Sequence, residues 1–105
     1  MKGAEMYRGT TPNLVIRLKE GENASDISVL QVTLSQSNGH KLIKSLSDFT
    51  KDGNLLYCTL TQAETLQFDA KEEGSIQARM KFGNKAVASK VQRFRVEDIL
   101  TEGEL

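Results

Sequence analysis

Residues 60–68 form a helix-like segment in a chain whose other segments alternate between apolar and polar residues. Thr61 is followed three residues later by Glu64, a capping-box pattern that marks the start of a helix. Gly74 precedes the next alternating segment, so the sequence leaves room for one or two helical turns. One short helical turn near residues 61–67, set among strands, is typical of a corner between two packed sheets.

Six segments have the period-2 alternation of half-buried strands. They are residues 13–19, 27–36, 40–46, 55–60, 75–82 and 85–96. In the last segment the apolar phase changes between Val87 and Phe94, which predicts a bulge near Gln92. Gly83-Asn84 predicts a tight hairpin before that segment. The spacing of the strands predicts an all-β antiparallel sandwich of about six strands.

The second and third segments are joined by Asn38-Gly39, the strongest short hairpin signal. It predicts a type I′ turn, because both residues tolerate positive φ. The third segment is therefore the expected antiparallel partner of the second. Its inward phase stays ambiguous between Leu42 with Leu46 and Ile43.

The length of 105 residues suits one sandwich domain spanning residues 1–105. Residues 1–12 are interpreted as a turn-rich lead-in. Residues 97–105 are interpreted as an acidic C-terminal tail with a small apolar anchor at Ile99 and Leu100.

Composition argues against several classes of protein. Fourteen basic and fourteen acidic residues cancel, so the total charge gives no case for nucleic acid or an anionic membrane as partner. No apolar run approaches the roughly 20 residues of a membrane helix, and the first six residues lack the apolar centre of a signal peptide. Cys58 is the single cysteine, so an internal disulfide is excluded. A cytoplasmic location is expected.

The sequence has few residues of the types that catalyse reactions or bind metals and cofactors. His40 is the single histidine and lies beside the predicted hairpin turn, where an exposed polar residue is expected. Cys58 lies on the apolar face of its strand and is expected to be a small buried hydrophobe. The glycines are spread one per turn without phosphate-loop spacing. We therefore predict no enzyme and no catalytic, cofactor-binding or metal-binding residues.

Residues 76–96 carry six positive side chains and no acidic one. These are Arg79, Lys81, Lys85, Lys90, Arg93 and Arg95. Lys41 and Lys44 would join them if the third strand lay beside this hairpin. The stretch is either a solvated face that discourages edge pairing or a site for an acidic protein partner. Nucleic acid is disfavoured, because Phe82 and Phe94 are the only aromatic residues among the charges.

A second candidate surface is partly apolar. Val15, Val29, Leu55 and Tyr57 are expected on one outer sheet face, among Gln31, Thr33 and Thr59. They are either scattered surface side chains or a packing site for a second copy or another protein. The candidate protein-interaction residues are therefore Val15, Val29, Leu55, Tyr57, Arg79, Lys81 and Lys90.

The order of elements resembles an immunoglobulin-like sandwich with one strand missing. Strands one, two and four would form one sheet, and strands three, five and six the other. Residues 60–68 are similar to the leucine–threonine–acid–threonine corner before the sixth strand of immunoglobulin domains. The chain has no Trp and no cysteine pair, and Phe68 stands in the place of the corner tyrosine. Antibody-type recognition loops are therefore not implied.

The sequence also resembles a family of small phage and prophage proteins from Gram-positive bacteria, similar to the N-terminal immunoglobulin-like domain of baseplate upper proteins. The resemblance covers residues 7–103. It rests on the lead Tyr7-Arg8-Gly9-Thr10-Thr11-Pro12, on the corner at 60–68 and on the tail Ile99-Leu100-Thr101-Glu102-Gly103.

This resemblance implies a non-enzymatic structural protein of a tail or baseplate that docks other virion proteins. Its implied location is the bacterial cytoplasm during assembly and then the phage virion. Other phage structural proteins are the expected partners, and a homo-oligomer is a further option, with neither nucleic acid nor membrane expected. The alternative function is a bacterial immunoglobulin-like interaction or adhesion module.

Overall fold

Two β-sheets pack face to face in the computed structural model, which describes residues 4–105. The strands within this range are β1 (Ala4–Tyr7), β2 (Asn13–Arg17), β3 (Ile27–Gln36), β4 (Lys41–Ser45), β5 (Thr50–Asp52), β6 (Leu55–Thr59), β7 (Gly74–Phe82), β8 (Lys85–Ala88) and β9 (Gln92–Glu97). One α-helical turn, α1 (Gln62–Leu66), and the 3-10 turns Ala24–Asp26 and Leu46–Asp48 connect them. The predicted all-β sandwich is confirmed.

The larger sheet has the order β1-β9-β7-β3-β4, and β8 pairs with the far half of β7. The smaller sheet has the order β2-β6-β5. Pairing is antiparallel except between β1 and β9, which run parallel. The predicted lead-in therefore contains an edge strand, and its residues 1–3 lie outside the described residues. Strand β5 lies between two of the predicted strand segments, 40–46 and 55–60, and was not predicted.

The predicted division of strands between the sheets is wrong. Strand β3 was expected beside β2 and β6, but it lies in the larger sheet, between β4 and β7. The short 37–39 connection holds β3 against β4, and the other edge of β3 pairs with β7 along nine residue pairs. The resulting order matches strands G-F-C-C′ and B-E-D of immunoglobulin-like sandwiches.

The hairpin between β3 and β4 is confirmed, but its turn is not type I′. Gly39 has a φ of 95°, whereas Asn38 keeps a negative φ. The Gly39 N–H donates to the Gln36 carbonyl at 3.0 Å, and the Asn38 side-chain oxygen accepts from the His40 N–H at 2.9 Å. This local acceptor holds Asn38 in an ordinary conformation, so one left-handed residue, Gly39, closes a three-residue loop.

The predicted bulge is confirmed at residues 89–91, immediately before β9. The register of β7 shifts by one residue between its pairing with β8 and its pairing with β9. Ser89 bridges the interruption, because its N–H donates to the Ala78 carbonyl at 2.8 Å and its hydroxyl accepts from the Ala78 N–H at 3.0 Å. The return strand therefore bends without leaving Ala78 unpaired.

The core lies between the sheets and is closed at one end by the corner that contains α1. Alternate residues of β3, β6, β7 and β9 point inward, as the period-2 pattern predicts. The buried apolar residues that follow this alternation are Leu30, Val32, Leu34, Leu56, Cys58, Ala78, Met80, Phe94 and Val96. Phe68, just after α1, is 1% exposed and packs against Phe94. The predicted helical turn, and its position at a corner between the two sheets, are confirmed, because α1 connects β6 of the smaller sheet to β7 of the larger one.

Candidate protein-interaction surfaces

Three of the candidate residues share the outer face of the smaller sheet. Val15 on β2 lies opposite Tyr57 on β6, and Leu55 lies opposite Arg17. Val15 is 59% exposed and Tyr57 is 39% exposed, whereas Leu55 is half-buried. These side chains form a small apolar strip on an otherwise polar face.

Val29 does not belong to that strip, which corrects the predicted surface. It lies on β3 opposite Lys81, because β3 belongs to the larger sheet. Gln31 also lies on the larger sheet, opposite Arg79, whereas Thr59 stays on the smaller sheet. The predicted apolar face is thus divided between the two outer faces of the sandwich.

The outer face of the larger sheet combines positive charge with exposed apolar side chains. We call it the basic face and define it by Lys41, Arg79 and Lys81 together with Val29 and Ile43. Val29 and Ile43 are each about half exposed. A shallow groove of about 270 Å³ runs along this face; its lining includes Val29, Gln31, Arg79, Lys81, Ala86 and Val87.

Lys44 does not contribute to the basic face, although its neighbour Lys41 does. It lies opposite the buried Val32 and forms an ion pair with Glu64 at the start of α1. The other oxygen of Glu64 accepts from the Thr61 N–H at 2.9 Å, and the Thr61 hydroxyl accepts from the Glu64 N–H at 3.1 Å. The predicted capping box is confirmed, and Lys44 extends it.

The ion pair shifts the pKa values of its two members in opposite directions. Burial by itself would raise the pKa of Glu64, but the bonds from Lys44 and from the Thr61 N–H outweigh burial, so the pKa is lowered. Burial by itself would lower the pKa of Lys44, but the Glu64 carboxylate outweighs it, so the pKa is raised. Both groups are therefore charged in the folded protein at neutral pH.

Two other members of the basic stretch are neutralised locally. Arg93 pairs with Glu73 at 3.0 Å, and Arg95 pairs with Glu97 at 3.1 Å. By contrast, Lys41, Arg79 and Lys81 form no ion pair within residues 4–105. On the basic face, the positive charge available to a partner therefore lies on these three side chains.

Lys90 occupies a different place from the rest of its stretch. It lies in the bulge between β8 and β9, next to a groove of about 190 Å³ that separates the bulge from β2. Val15, Ile16 and Arg17 line the opposite side of this groove. The seven predicted residues therefore lie on three surfaces: an apolar strip, the basic face and the groove beside β2, with Val15 shared by the strip and the groove.

The three segments that carry the family resemblance meet at one end of the sandwich. Arg8 donates from Nε to the Phe68 carbonyl at 2.8 Å and from Nη2 to the Leu66 carbonyl at 3.0 Å. Its remaining N–H groups donate to the carboxylates of Asp98 and Glu102. All five donors of the guanidinium are thus used, and the lead, the corner and the tail are joined through one side chain.

Two further contacts strengthen this junction. The buried Thr65 hydroxyl donates to the Thr10 carbonyl at 2.8 Å, which ties the corner to the lead. Gly9 has a φ of 73°, and a Cβ atom there would lie 3.1 Å from the Cδ1 atom of Ile99. The tail therefore packs on the lead through Ile99, one of the two residues predicted as its apolar anchor, whereas Leu100, the other, is fully exposed.

The two reactive residue types face inward. The buried position of Cys58 is confirmed, and burial raises the pKa of its thiol. The prediction for His40 is wrong, because its imidazole is half-buried and meets the Phe68 ring edge-on at 4.7 Å between centroids. The hairpin carries His40 over the corner, which explains this position. Within residues 4–105, no cluster of three or more His, Cys, Asp and Glu side chains could hold a metal.

A buried glutamine that the sequence did not indicate joins β3 to the 69–72 loop. Gln36 donates to the carbonyl oxygens of Asp69 and Glu72 at 2.8 and 2.9 Å, and its own oxygen accepts from the Asp69 N–H at 2.8 Å. No local signal identifies such a residue, because its partners lie more than thirty positions away.

No protein-family model and no curated protein matches this sequence. In the part of the chain that the structure describes, no helix is long and apolar enough to cross a membrane.

Proposed function

We propose that this chain is a non-enzymatic structural protein of a phage or prophage, a tail or baseplate component that docks other virion proteins. The resemblance of residues 7–103 to phage baseplate proteins supports the phage assignment. The basic face is the observation that carries the docking role.

The chemistry of the basic face favours a protein partner with acidic side chains. Lys41, Arg79 and Lys81 would provide the electrostatic attraction, and Val29 and Ile43 would provide apolar contact area between the charges. Complementary charge of this kind directs association and selects the partner. The groove along this face is shallow and open, which suits contact with another protein surface.

The junction around Arg8 fits a structural role as well. It joins the lead, the corner and the tail by hydrogen bonds and ion pairs, so the motif residues hold the architecture. Cys58 packs into the interior, and His40 packs half-buried against Phe68.

Mass spectrometry of particles purified after prophage induction tests the proposal. We expect the protein in the particles at a stoichiometric level and reduced incorporation of an Arg79→Glu/Lys81→Glu variant. A Lys19→Glu/Lys51→Glu variant is the matched control, because both lysines are exposed and lie outside the basic face.

Absence of the wild-type protein from the particles would overturn the phage assignment. Its recovery on the bacterial surface would favour the adhesion module instead. Equal incorporation of both charge-reversal variants would show that the basic face is not the docking site.

A further inference from the structure

Strand β2 forms an edge of the smaller sheet, and the described residues place no strand on its outer side. Two backbone hydrogen bonds flank the β2–β6 ladder: Leu60 N–H donates to the Pro12 carbonyl, and Leu18 N–H donates to the Asn54 carbonyl. They show which residue pairs of the ladder are hydrogen-bonded. Antiparallel pairs alternate between bonded and non-bonded positions. Val15 and Arg17 therefore direct their backbone N–H and C=O groups away from β6, toward the open edge.

Two other sheet edges, β5 and β4, have features that discourage strand addition, and β2 lacks them. Strand β5 is three residues long, and β4 carries the inward-pointing charge of Lys44. Short strands and inward charges are common protective devices at edges. Strand β2 has five residues, with Leu14, Val15 and Ile16 in succession. Strand β2 is therefore better suited than β4 or β5 to pair with another strand.

The groove beside β2 reaches the core. Val32 and Ala78, both buried, line it together with the half-buried Ile16 and Ile76. The bulge at residues 89–91 bends the return strand on the opposite side of the groove. A strand added to β2 would place alternate side chains over Ile16 and Ile76 and extend the core.

The open position beside β2 corresponds to a strand position in immunoglobulin-like sandwiches. In immunoglobulin-like sandwiches, the sheet that contains B, E and D has a further strand, A, next to B. Strands β2, β6 and β5 occupy the B, E and D positions. An added strand on β2 would therefore complete a known four-stranded sheet.

The charges around the groove indicate the chemistry of the segment that would bind. Arg17 and Lys90 flank it, and no acidic side chain lines it. A second copy would present β2 itself, which offers Arg17 and no acidic residue. Charge complementarity therefore favours a different protein that contributes a segment with acidic residues.

We propose that β2 accepts an extended segment of a partner protein as an additional strand, with apolar side chains entering the groove and acidic side chains near Arg17 and Lys90. This inference rests on the proposed docking role. It gives the protein a second docking contact, at β2, in addition to the one on the basic face. Backbone hydrogen bonds would supply affinity, and the groove would select the side chains.

The first experiment uses a synthetic peptide of alternating Val and Glu, with a Val and Lys peptide as its matched control. Amide hydrogen exchange of the full chain, followed by NMR, reads out each backbone position. We expect the Glu peptide to slow exchange at Val15 and Arg17, and the Lys peptide to leave exchange there unchanged. Protection on the basic face alone, or at neither place, would overturn the proposal.

Two variants test the geometry of the edge. Val15→Pro removes an outward N–H while leaving the bonds to β6 intact, since proline is tolerated on edge strands. Val15→Thr is the control, because it keeps the N–H and a β-branched shape. We expect Val15→Pro to abolish peptide binding and Lys90→Glu to weaken it roughly tenfold. Equal binding by the proline and threonine variants would contradict strand addition.

Incorporation of the same variants into phage particles separates this inference from the proposed function. If wild type and Val15→Pro enter particles equally, strand addition is wrong and the docking role stands. If wild type is absent from particles, the phage assignment is wrong and the peptide experiment alone decides the edge. Concentration-dependent protection of Val15 without peptide, with a dimer in sedimentation, would overturn the choice of a different protein as partner.

Discussion

The guanidinium of Arg8 and the carboxylate of Glu102, 94 residues apart in the chain, form a two-pronged ion pair. The same side chain binds the carbonyl oxygens of Leu66 and Phe68, so one arginine joins the lead, the corner and the tail. Lysine carries the same charge but lacks the planar fork that reaches several acceptors at fixed angles.

Arg8→Lys should therefore lower the free energy of unfolding by about 1–3 kcal/mol, because main-chain carbonyls at the corner lose their donors. Urea denaturation measures the change, and amide exchange should accelerate at residues 98–105. Glu102→Gln is the control, and its effect should stay within about 1 kcal/mol because that carboxylate is largely exposed. Equal effects of the two substitutions would contradict a central role for the arginine.

Stability should fall as pH drops below about 4.3, the ordinary pKa of glutamate. The pKa of Glu64 is lower in the folded protein than in the unfolded chain, so ionisation of Glu64 favours the folded state. That contribution is complete above the unfolded pKa and is lost as pH falls through the folded pKa. Asp98 acts in the same direction, because the Ile99 N–H and then Arg8 lower its pKa.

Glu64→Gln isolates the contribution of the corner, since glutamine keeps the capping-box geometry without the charge. Urea unfolding at pH 7 and at pH 3 should show a smaller difference for this variant than for the wild type. A pH dependence identical to that of the wild type would show that the Lys44–Glu64 ion pair does not stabilise the fold.

Gly74 is required because the Phe94 ring occupies the space in front of it. A Cβ atom at residue 74 would lie 2.1 Å from the ring, and the two residues are direct cross-strand partners. Gly74→Ala should therefore destabilise the domain by about 1–3 kcal/mol through overpacking. Thermal and urea unfolding check this value.

The double variant Gly74→Ala/Phe94→Leu separates the clash from other effects of the alanine. Leucine at residue 94 removes the ring, so the loss caused by Gly74→Ala should be smaller in that background. Strict additivity of the two single substitutions would argue against the clash.

The strands could be predicted from the sequence because their residues alternate locally. Segment 27–36 agrees with β3, and the capping box correctly places α1. The bulge was also predictable, since the apolar phase of the return strand shifts by one residue. These features depend on residues that are close together in the chain, so local sequence patterns can predict them.

Pairing between distant strands and side chains was not predictable in the same way. In β4, Ile43 points outward and Lys44 points inward, where it binds Glu64. A charged residue on the inner face made the inward phase of this strand ambiguous from the sequence. Val29 was assigned to the wrong face because alternation specifies a face without specifying the sheet. The partners of Arg8 are likewise invisible to local patterns, since the corner and the tail lie about 60 and 90 residues away.

Gln36 should be essential for stability, although it is a polar residue on a core strand. It is 5% exposed and exchanges three hydrogen bonds with the backbone of the 69–72 loop. Gln36→Leu keeps a similar volume but leaves these backbone groups without partners, which should cost about 1–3 kcal/mol. Gln31→Leu, the same exchange at an exposed position of β3, should change stability by less than about 0.5 kcal/mol. Urea unfolding compares the two, and amide exchange at Asp69 should accelerate in Gln36→Leu alone; equal stabilities would contradict the assigned role.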